Sequence, residues 1–306
     1  MTSILATPEV TIGLPVYNGE AHLRTALDSL LEQTFSDFEL LISDNASVDR
    51  TEQICAEYAQ RDARISYFRQ PHNLGATENW NFVVRHARGK YFKWATANDI
   101  CPPGVLERSV EVLRNQPEVV LCYGNTTLID ESGRVIGQYT EDPEVMDASP
   151  SVRFIRILNE LIRNNAQCGL IRTDALRRTG LDRHYLDGDM VLMAELALLG
   201  GYRKLDEVFL LRREGKTSAS VQLTEAERRH FLRPNASAHT IPVLQLHADR
   251  FLSVLRAPIP GSEKRRTLIY VVKSVYWDRS NIWRGLLNFI RSFAPISKRA
   301  GAGASG

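Results

Sequence analysis

Between Val10 and Leu113, short apolar and β-branched runs alternate with longer segments whose apolar residues return at helical spacing. Nothing else in the sequence restricts the fold as tightly. Val10–Val16 (VTIGLPV) reads as a buried strand that empties into the turn signal Tyr17-Asn18-Gly19. Leu23, Ala26, Leu27, Leu30 and Leu31 form one helical stripe, and Phe38–Ser43 (FELLIS) a second strand. The polar loop Asp44-Asn45-Ala46-Ser47-Val48-Asp49 offers Ser47 or Asp49 as cap for a helix carrying Ile54 and Tyr58. Strands near Ile65–Arg69 and over Lys90–Ala95 bracket a helix holding Trp80, Val83, Val84 and Ala87. The alternation predicts an α/β chain with a mostly parallel sheet flanked by helices, since right-handed crossovers bury both faces of such a sheet.

Beyond Pro102-Pro103-Gly104 the pattern weakens. A helix with Leu106, Val110 and Leu113 leads to a strand at Val119–Tyr123 and a turn around Asp130-Glu131-Ser132-Gly133. Residues 137–150 read as a surface loop and Val152–Arg163 as a helix. Near the end, Leu268, Ile269, Val272, Val275 and Tyr276, then Ile282, Trp283, Leu286, Leu287, Ile290 and Phe293, stand among cations as two amphipathic helices. From Glu263 to Arg299 there are nine cations and two anions, a net +7 that leaves −5 for the rest of a chain with overall charge +2. Such helices suit either an anionic lipid surface or packing on the rest of the chain. The tail Ala300–Gly306 should be frayed.

At 306 residues, with 43% hydrophobic and 24% charged residues, the chain can build a sizeable core, which excludes disorder, collagen-like repeats and a pure coiled coil. A net charge of +2 gives no reason to expect nucleic acid as a partner. Cys55, Cys101, Cys122 and Cys168 lack C-x-x-C spacing, so neither a zinc ribbon nor a disulfide framework is expected, and a reducing cytoplasm fits. The first residues lack a basic region followed by an apolar run, and no stretch of about 18 apolar residues occurs, so no membrane span is expected.

In an open parallel sheet, ligands bind beyond the carboxyl ends of the strands. Those positions carry Tyr17, Asn18 and Glu20, then Asp44, Asn45 and Asp49, then Asn73 and Gly75, then Thr96, Asn98 and Asp99. Acids and amides of this kind can hydrogen-bond a base and ribose and hold a divalent cation. No G-x-G-x-x-G follows the first strand and no G-x-x-x-x-G-K-[ST] occurs, which disfavours the usual dinucleotide fold and a P-loop hydrolase.

Residues 10–51 and 72–113, with P-x-Y-N, S-D-N-x-S-x-D and N-x-G segments in order, resemble the nucleotide-sugar-binding half of glycosyltransferase family 2. The resemblance implies a GT-A-type, Rossmann-like sheet flanked by helices, with a helical C-terminal extension. It divides the chain into a domain over 8–215, with a nucleotide-sugar half 8–123 and an acceptor half 124–215, and a helical region 216–306. It places Pro15, Tyr17, Asn18 and Glu20 beside the base, Asp44 and Asn45 at base or ribose, and Asn73, Gly75 and Asn79 along the nucleotide. Ala97-Asn98-Asp99 falls on the metal motif, with Asp99 as ligand to Mg²⁺ or Mn²⁺ and Asn98 where members usually carry an acid. The segment Arg212–Ser218, with Arg213 foremost, resembles one that closes over the diphosphate.

Leu186-Asp187-Gly188-Asp189 precedes an apolar helix, Met190–Leu199, and resembles the family's acid-then-helix segment, which implies Asp189 as general base with Asp187 second. The expected activity is inverting transfer of a sugar from a nucleotide-diphosphate donor, a UDP-sugar foremost, to the hydroxyl of a glycan or lipid-linked acceptor. A surface polysaccharide is the expected product, made in the cytoplasm or at the inner face of the membrane with residues 263–299 as the contact. A nucleotidyltransferase would need a cation in LPVYNGEAH, which has none. The other alternative is a non-catalytic nucleotide-sugar-binding or membrane-docking protein in which Asn98 marks a decayed metal site.

Overall fold

A computed structural model describes residues 7–215, 227, 231–232 and 241–292. Strands β1 (Val10–Val16), β2 (Phe38–Asp44), β3 (Ile65–Arg69) and β4 (Tyr91–Trp94) pair in parallel in the order β3-β2-β1-β4. Helices α1 (Leu23–Leu31), α2 (Thr51–Arg61) and α3 (Ala76–His86) make the crossovers. Because helices cover both faces, β1, β2 and β4 are buried at every position, including the polar Glu39 and Lys93. The expected stripe of α1 faces inward through Leu23, Ala26, Leu27 and Leu30, and Ile54 and Tyr58 do the same for α2. Asp49, one residue before the N-cap Arg50 of α2, accepts the Thr51 N–H at 3.0 Å and its hydroxyl at 2.5 Å.

Helix α4 (Val105–Asn115) leads to β5 (Val119–Ile129), which continues six residues beyond the strand expected at Val119–Tyr123. The turn at Asp130–Gly133 returns the chain as β6 (Val135–Tyr139), so the first residues of the segment expected to be loop are strand. Strand β7 (Leu170–Arg172) inserts between β4 and β5, antiparallel to both, and β8 (Gly201–Arg213) runs parallel along nearly all of β5. A single eight-stranded sheet thus crosses the division at residue 123. Helices α5 (Pro150–Glu160), α6 (Thr173–Arg177) and α7 (Gly188–Leu199) cover this half. Helix α7 is apolar on all sides and almost wholly buried; its Glu195, 3% exposed, meets Arg183 at 3.1 Å and accepts the Gly180 N–H.

Beyond residue 241 come α8 (Pro242–Arg256), α9 (Gly261–Trp277) and α10 (Arg279–Ser292). Val254, Ala257 and Val271 join the core beside Phe154, Ile157 and the residues of α7. Ile269, Val272, Tyr276 and Trp277 of α9, and Trp283, Leu287 and Ile290 of α10, remain exposed. Phe293, Lys298, Arg299 and the tail lie outside the described residues. Among the described residues no helix is long and apolar enough to cross a membrane.

Candidate active site

The loops after β1 and β2 are sewn together by backbone donors meeting side-chain acceptors. Asn18 takes a left-handed conformation (φ 51°) that an asparagine tolerates. Its N–H donates to Ser47 Oγ at 2.9 Å and its Oδ1 accepts from the Val48 N–H at 2.9 Å. The Gly19 N–H donates to Thr51 Oγ1 at 2.9 Å, and the Glu20 N–H to Asp49 Oδ2 at 3.1 Å. Glu20 in turn accepts from Arg50. Burial opposes the charge on Asp49, yet the hydrogen bonds from Thr51 and the Glu20 N–H outweigh it and hold the carboxyl below the usual aspartate range. Pro15 is buried inside β1, while Tyr17, 44% exposed, follows the end of that strand. Trp94 is fully buried, packed on Trp80 and Phe92, and is a core residue.

Asp44 closes β2 with no solvent exposure. One carboxylate oxygen accepts the Ser47 N–H at 2.9 Å; the other accepts the Tyr67 hydroxyl and the Arg69 guanidinium, each at 2.9 Å. Burial, followed by the Asp44 charge, drives the Tyr67 hydroxyl well above its ordinary pKa, so it remains a donor. Next to Asp44, Asn45 donates to Asn73 Oδ1 at 2.9 Å and to the Gly75 carbonyl at 3.3 Å, and accepts the Leu74 N–H. The structure therefore brings Asn45, Asn73 and Gly75 together, with Gly75 at φ 87°, where a glycine is at ease. Asn79 is 3% exposed and spans the strand ends, donating to the Ser43 carbonyl at 2.9 Å and accepting from the Ser43 hydroxyl at 2.6 Å. Its amide is committed to the backbone of β2.

Asp99 lies beyond β4, partly exposed, with one oxygen accepting the Thr96 hydroxyl at 2.7 Å and the other the Arg213 N–H at 2.9 Å. Ala97 is buried and Asn98 exposed. The Arg213 side chain does not project into the cleft: its Nε donates to the Asn98 carbonyl at 3.1 Å and its Nη1 to the carbonyls of Asp130 and Glu131 at 2.6 and 3.0 Å. It ties the loop carrying Asp99 to the β5–β6 turn. Arg212 donates to Asn165 Oδ1 at 2.6 Å, and Lys216-Thr217-Ser218 lie outside the described residues. Among the described residues no three His, Cys, Asp or Glu side chains gather as a metal cage. One carboxylate with an amide oxygen beside it is the donor set that magnesium or manganese accepts when substrate phosphates complete the shell.

Asp187 precedes α7 at φ 64° and is exposed; Asp189 lies in the first turn, partly buried. Asp189 Oδ2 accepts the Asn164 amide at 2.7 Å and Oδ1 the Met190 N–H at 2.9 Å. Burial, and then the like charge of Asp189, push the Asp182 carboxyl up to about 7. Sequence reasoning missed Asp182, Asn164, Asn165 and Gln167; the signal available was three amides in the short stretch Asn164–Cys168 between a helix and a strand. All four cysteines are free thiols, three of them buried, and Cys168 lines the same cleft as Thr96 and Asp99.

Polar side chains gathered at the carboxyl ends of parallel strands, in a sheet extended by antiparallel and parallel partners, define an α/β protein of the GT-A fold. The chain belongs to glycosyl transferase family 2, whose model matches residues 11–185, more than half of its length. An uncharacterized glycosyltransferase of Rickettsia bellii is 29% identical over 167 residues, 54% of this chain and 23% of that protein. Another, of Methanocaldococcus jannaschii, is 31% identical over 141 residues, 45% of this chain and 49% of that protein. The match thus spans half or less of the length of these curated relatives. S. aureus TarS 1–349 in complex with UDP superposes with a TM-score of 0.62 at 14% identity, covering 94% of this chain and 76% of that one. The mannosyltransferase PcManGT of Pyrobaculum calidifontis, in complex with GDP-Man and Mn²⁺, gives 0.52 at 15% identity, covering 95% and 89%. These likenesses show the fold.

Proposed function

We propose that this chain transfers a sugar from a nucleoside-diphosphate donor to an acceptor hydroxyl with inversion. The observation that carries the reading is a relay of contacts between the two acids: Asp99 to the Arg213 N–H, the neighbouring Arg212 to Asn165, and Asn164 to Asp189. Asp44, Asn45, Asn73 and the β1 loop receive the nucleoside; Asp99, with the Asn98 amide oxygen, holds Mg²⁺ or Mn²⁺. A cation held by Asp99 and the Asn98 amide oxygen would supply positive charge to the departing diphosphate. Asp189 takes the proton of the attacking hydroxyl as the acceptor oxygen bonds to the anomeric carbon and the bond to the nucleoside diphosphate breaks on the opposite face. Asp187, exposed at the helix start, is the second choice for that role.

Solved relatives in fold carrying UDP, UDP-GlcNAc and GDP-Man support the donor class, and a UDP-sugar is our first choice. Similarity to the uncharacterized glycosyltransferase EpsJ of Bacillus subtilis, 35% identical over 116 residues and covering 38% of this chain and 33% of that one, is in keeping with glycosyl transfer, and a surface polysaccharide is the product we propose. A lipid-linked acceptor at the inner face of the membrane would suit the exposed apolar residues and cations of α9 and α10. The test is calorimetric titration with UDP, GDP and dTDP, with and without Mn²⁺, on wild type and Asp99→Ala. Metal-dependent binding of one diphosphate that Asp99→Ala abolishes supports the reading. If the folded protein binds none of them, the amide at Asn98 marks a lost site and the chain is a binding module; a large gain in divalent-dependent activity for Asn98→Asp would say the same.

A further inference from the structure

Between α5 and β7 the chain makes a single 3-10 turn, Asn165–Cys168, entered through Asn164 in the left-handed conformation. Asn164, Asn165 and Gln167 are 9%, 6% and 7% exposed. Their orientations are settled by partners of one kind only. A carboxylate base accepts, so Asn164 presents its Nδ2 to Asp189 at 2.7 Å; a guanidinium donates, so Asn165 presents its Oδ1 to Arg212 at 2.6 Å. Asn164 Nδ2 also lies 3.3 Å from Gln167 Oε1. This leaves Asn164 Oδ1, Asn165 Nδ2 and Gln167 Nε2 buried with no protein partner. Buried amides in folded proteins nearly always have partners, so three unmet atoms within one turn point to a ligand.

The position of the turn says what that ligand is. Its first residues touch Asp189 and Arg212, and its last, Cys168, lines the cleft of Asp99 and accepts a hydrogen bond from Lys93 Nζ. The turn therefore joins the proposed base, through Asn164, to the small pocket that Cys168 shares with the proposed metal acid, and the transferred ring and the attacking hydroxyl would meet between those two acids. The unmet atoms are one acceptor and two donors without charge, a set that suits neighbouring hydroxyls, each of which donates and accepts, and does not suit a phosphate or a cation. We propose that Asn164, Asn165 and Gln167 form a subsite that reads the ring hydroxyls of a pyranose, belonging either to the donor sugar or to the acceptor. This rests on the transferase reading above.

The test uses Asn165→Asp and Gln167→Glu, which replace the unmet donor by a carboxyl oxygen at unchanged shape, adding an ionisable group, and keep the oxygens that face Arg212 and Asn164. With Mn²⁺ present, calorimetry compares UDP with UDP-GlcNAc and GDP with GDP-mannose, and then octyl glucoside, galactoside and N-acetylglucosaminide at saturating diphosphate. If the amides read the donor, the affinity gained from the attached sugar falls about five- to tenfold per variant while the bare diphosphate binds as before. If they read the acceptor, that gain is unchanged and octyl glycoside binding falls instead. The proposal is overturned if neither quantity moves in variants with wild-type melting temperatures, since the amides then hold water alone. It is overturned equally if the bare diphosphate weakens as much as its sugar conjugate. Failure of the transferase reading shows separately, as wild type that binds no diphosphate.

Discussion

Asp182 illustrates how burial, and then a like charge on Asp189, alter the behaviour of an acid. An unfolded aspartate titrates near 3.9, and in the fold Asp182 retains its proton up to about 7. Because the folded state binds the extra proton, this stabilisation is complete below about pH 4 and is lost as pH rises through about 7. Asp182→Asn keeps an oxygen for the Arg183 N–H and removes the ionisable group. It should raise the melting temperature at pH 8 by at least about 2 °C and change it little at pH 4; coincident wild-type and variant curves at pH 8 would refute this. Asp189→Asn should lower turnover about 10²- to 10⁴-fold with diphosphate affinity intact, read by initial rates and calorimetry. Asp44, Asp99 and Asp189 were legible because each sits within a dense local motif. Asp182 was not, since the burial that raises it is a property of the fold, and the amides were not, since their partners Asp189 and Arg212 come from α7 and β8.

At the scale of elements, the entry to α7 governs where Asp189 stands. A Cβ on Gly188 would lie 2.6 Å from the Arg183 carbonyl oxygen, so the helix start presses directly on the preceding loop. Gly188→Ala should push that turn outward, costing about 1–3 kcal/mol of stability and lowering turnover roughly tenfold or more, with diphosphate binding preserved. Unchanged turnover would show that the loop yields instead. Arg213→Ala releases Asn98 from the β5–β6 turn, and the expected outcome is weaker Mn²⁺-dependent diphosphate binding although no catalytic contact is removed. The four parallel strands and their helices were readable from unbroken apolar runs and one-sided stripes. Strand β8 was not, because register shifts against Gly124, Asn125 and Thr126 of β5 break its two-residue alternation.

Over the whole molecule, the sheet and the C-terminal helices form connected layers, with α8 and α9 packed on α7 and α5. Helices α9 and α10 were visible as apolar residues at helical spacing among cations. Helix α8 was not, because its inward residues are few and partly polar, namely His247, Ser253 and Val254. If the outer residues of α9 and α10 meet lipid, the protein should sediment with vesicles containing phosphatidylglycerol and far less with neutral ones. Salt at 0.5 M, or the pair Arg265→Glu and Lys273→Glu, should release it; equal sedimentation with both vesicle types would count against the contact. The distribution of thiols has a different use. Cys55 and Cys122 are sealed in the core, whereas the buried Cys101 and the more accessible Cys168, whose thiol burial pushes up to about 11, line one small pocket with Asp99. Without any engineering, the protein therefore carries a slow, single-site chemical footprint: alkylation at Cys168 should quicken as pH rises and fall when a nucleotide covers it.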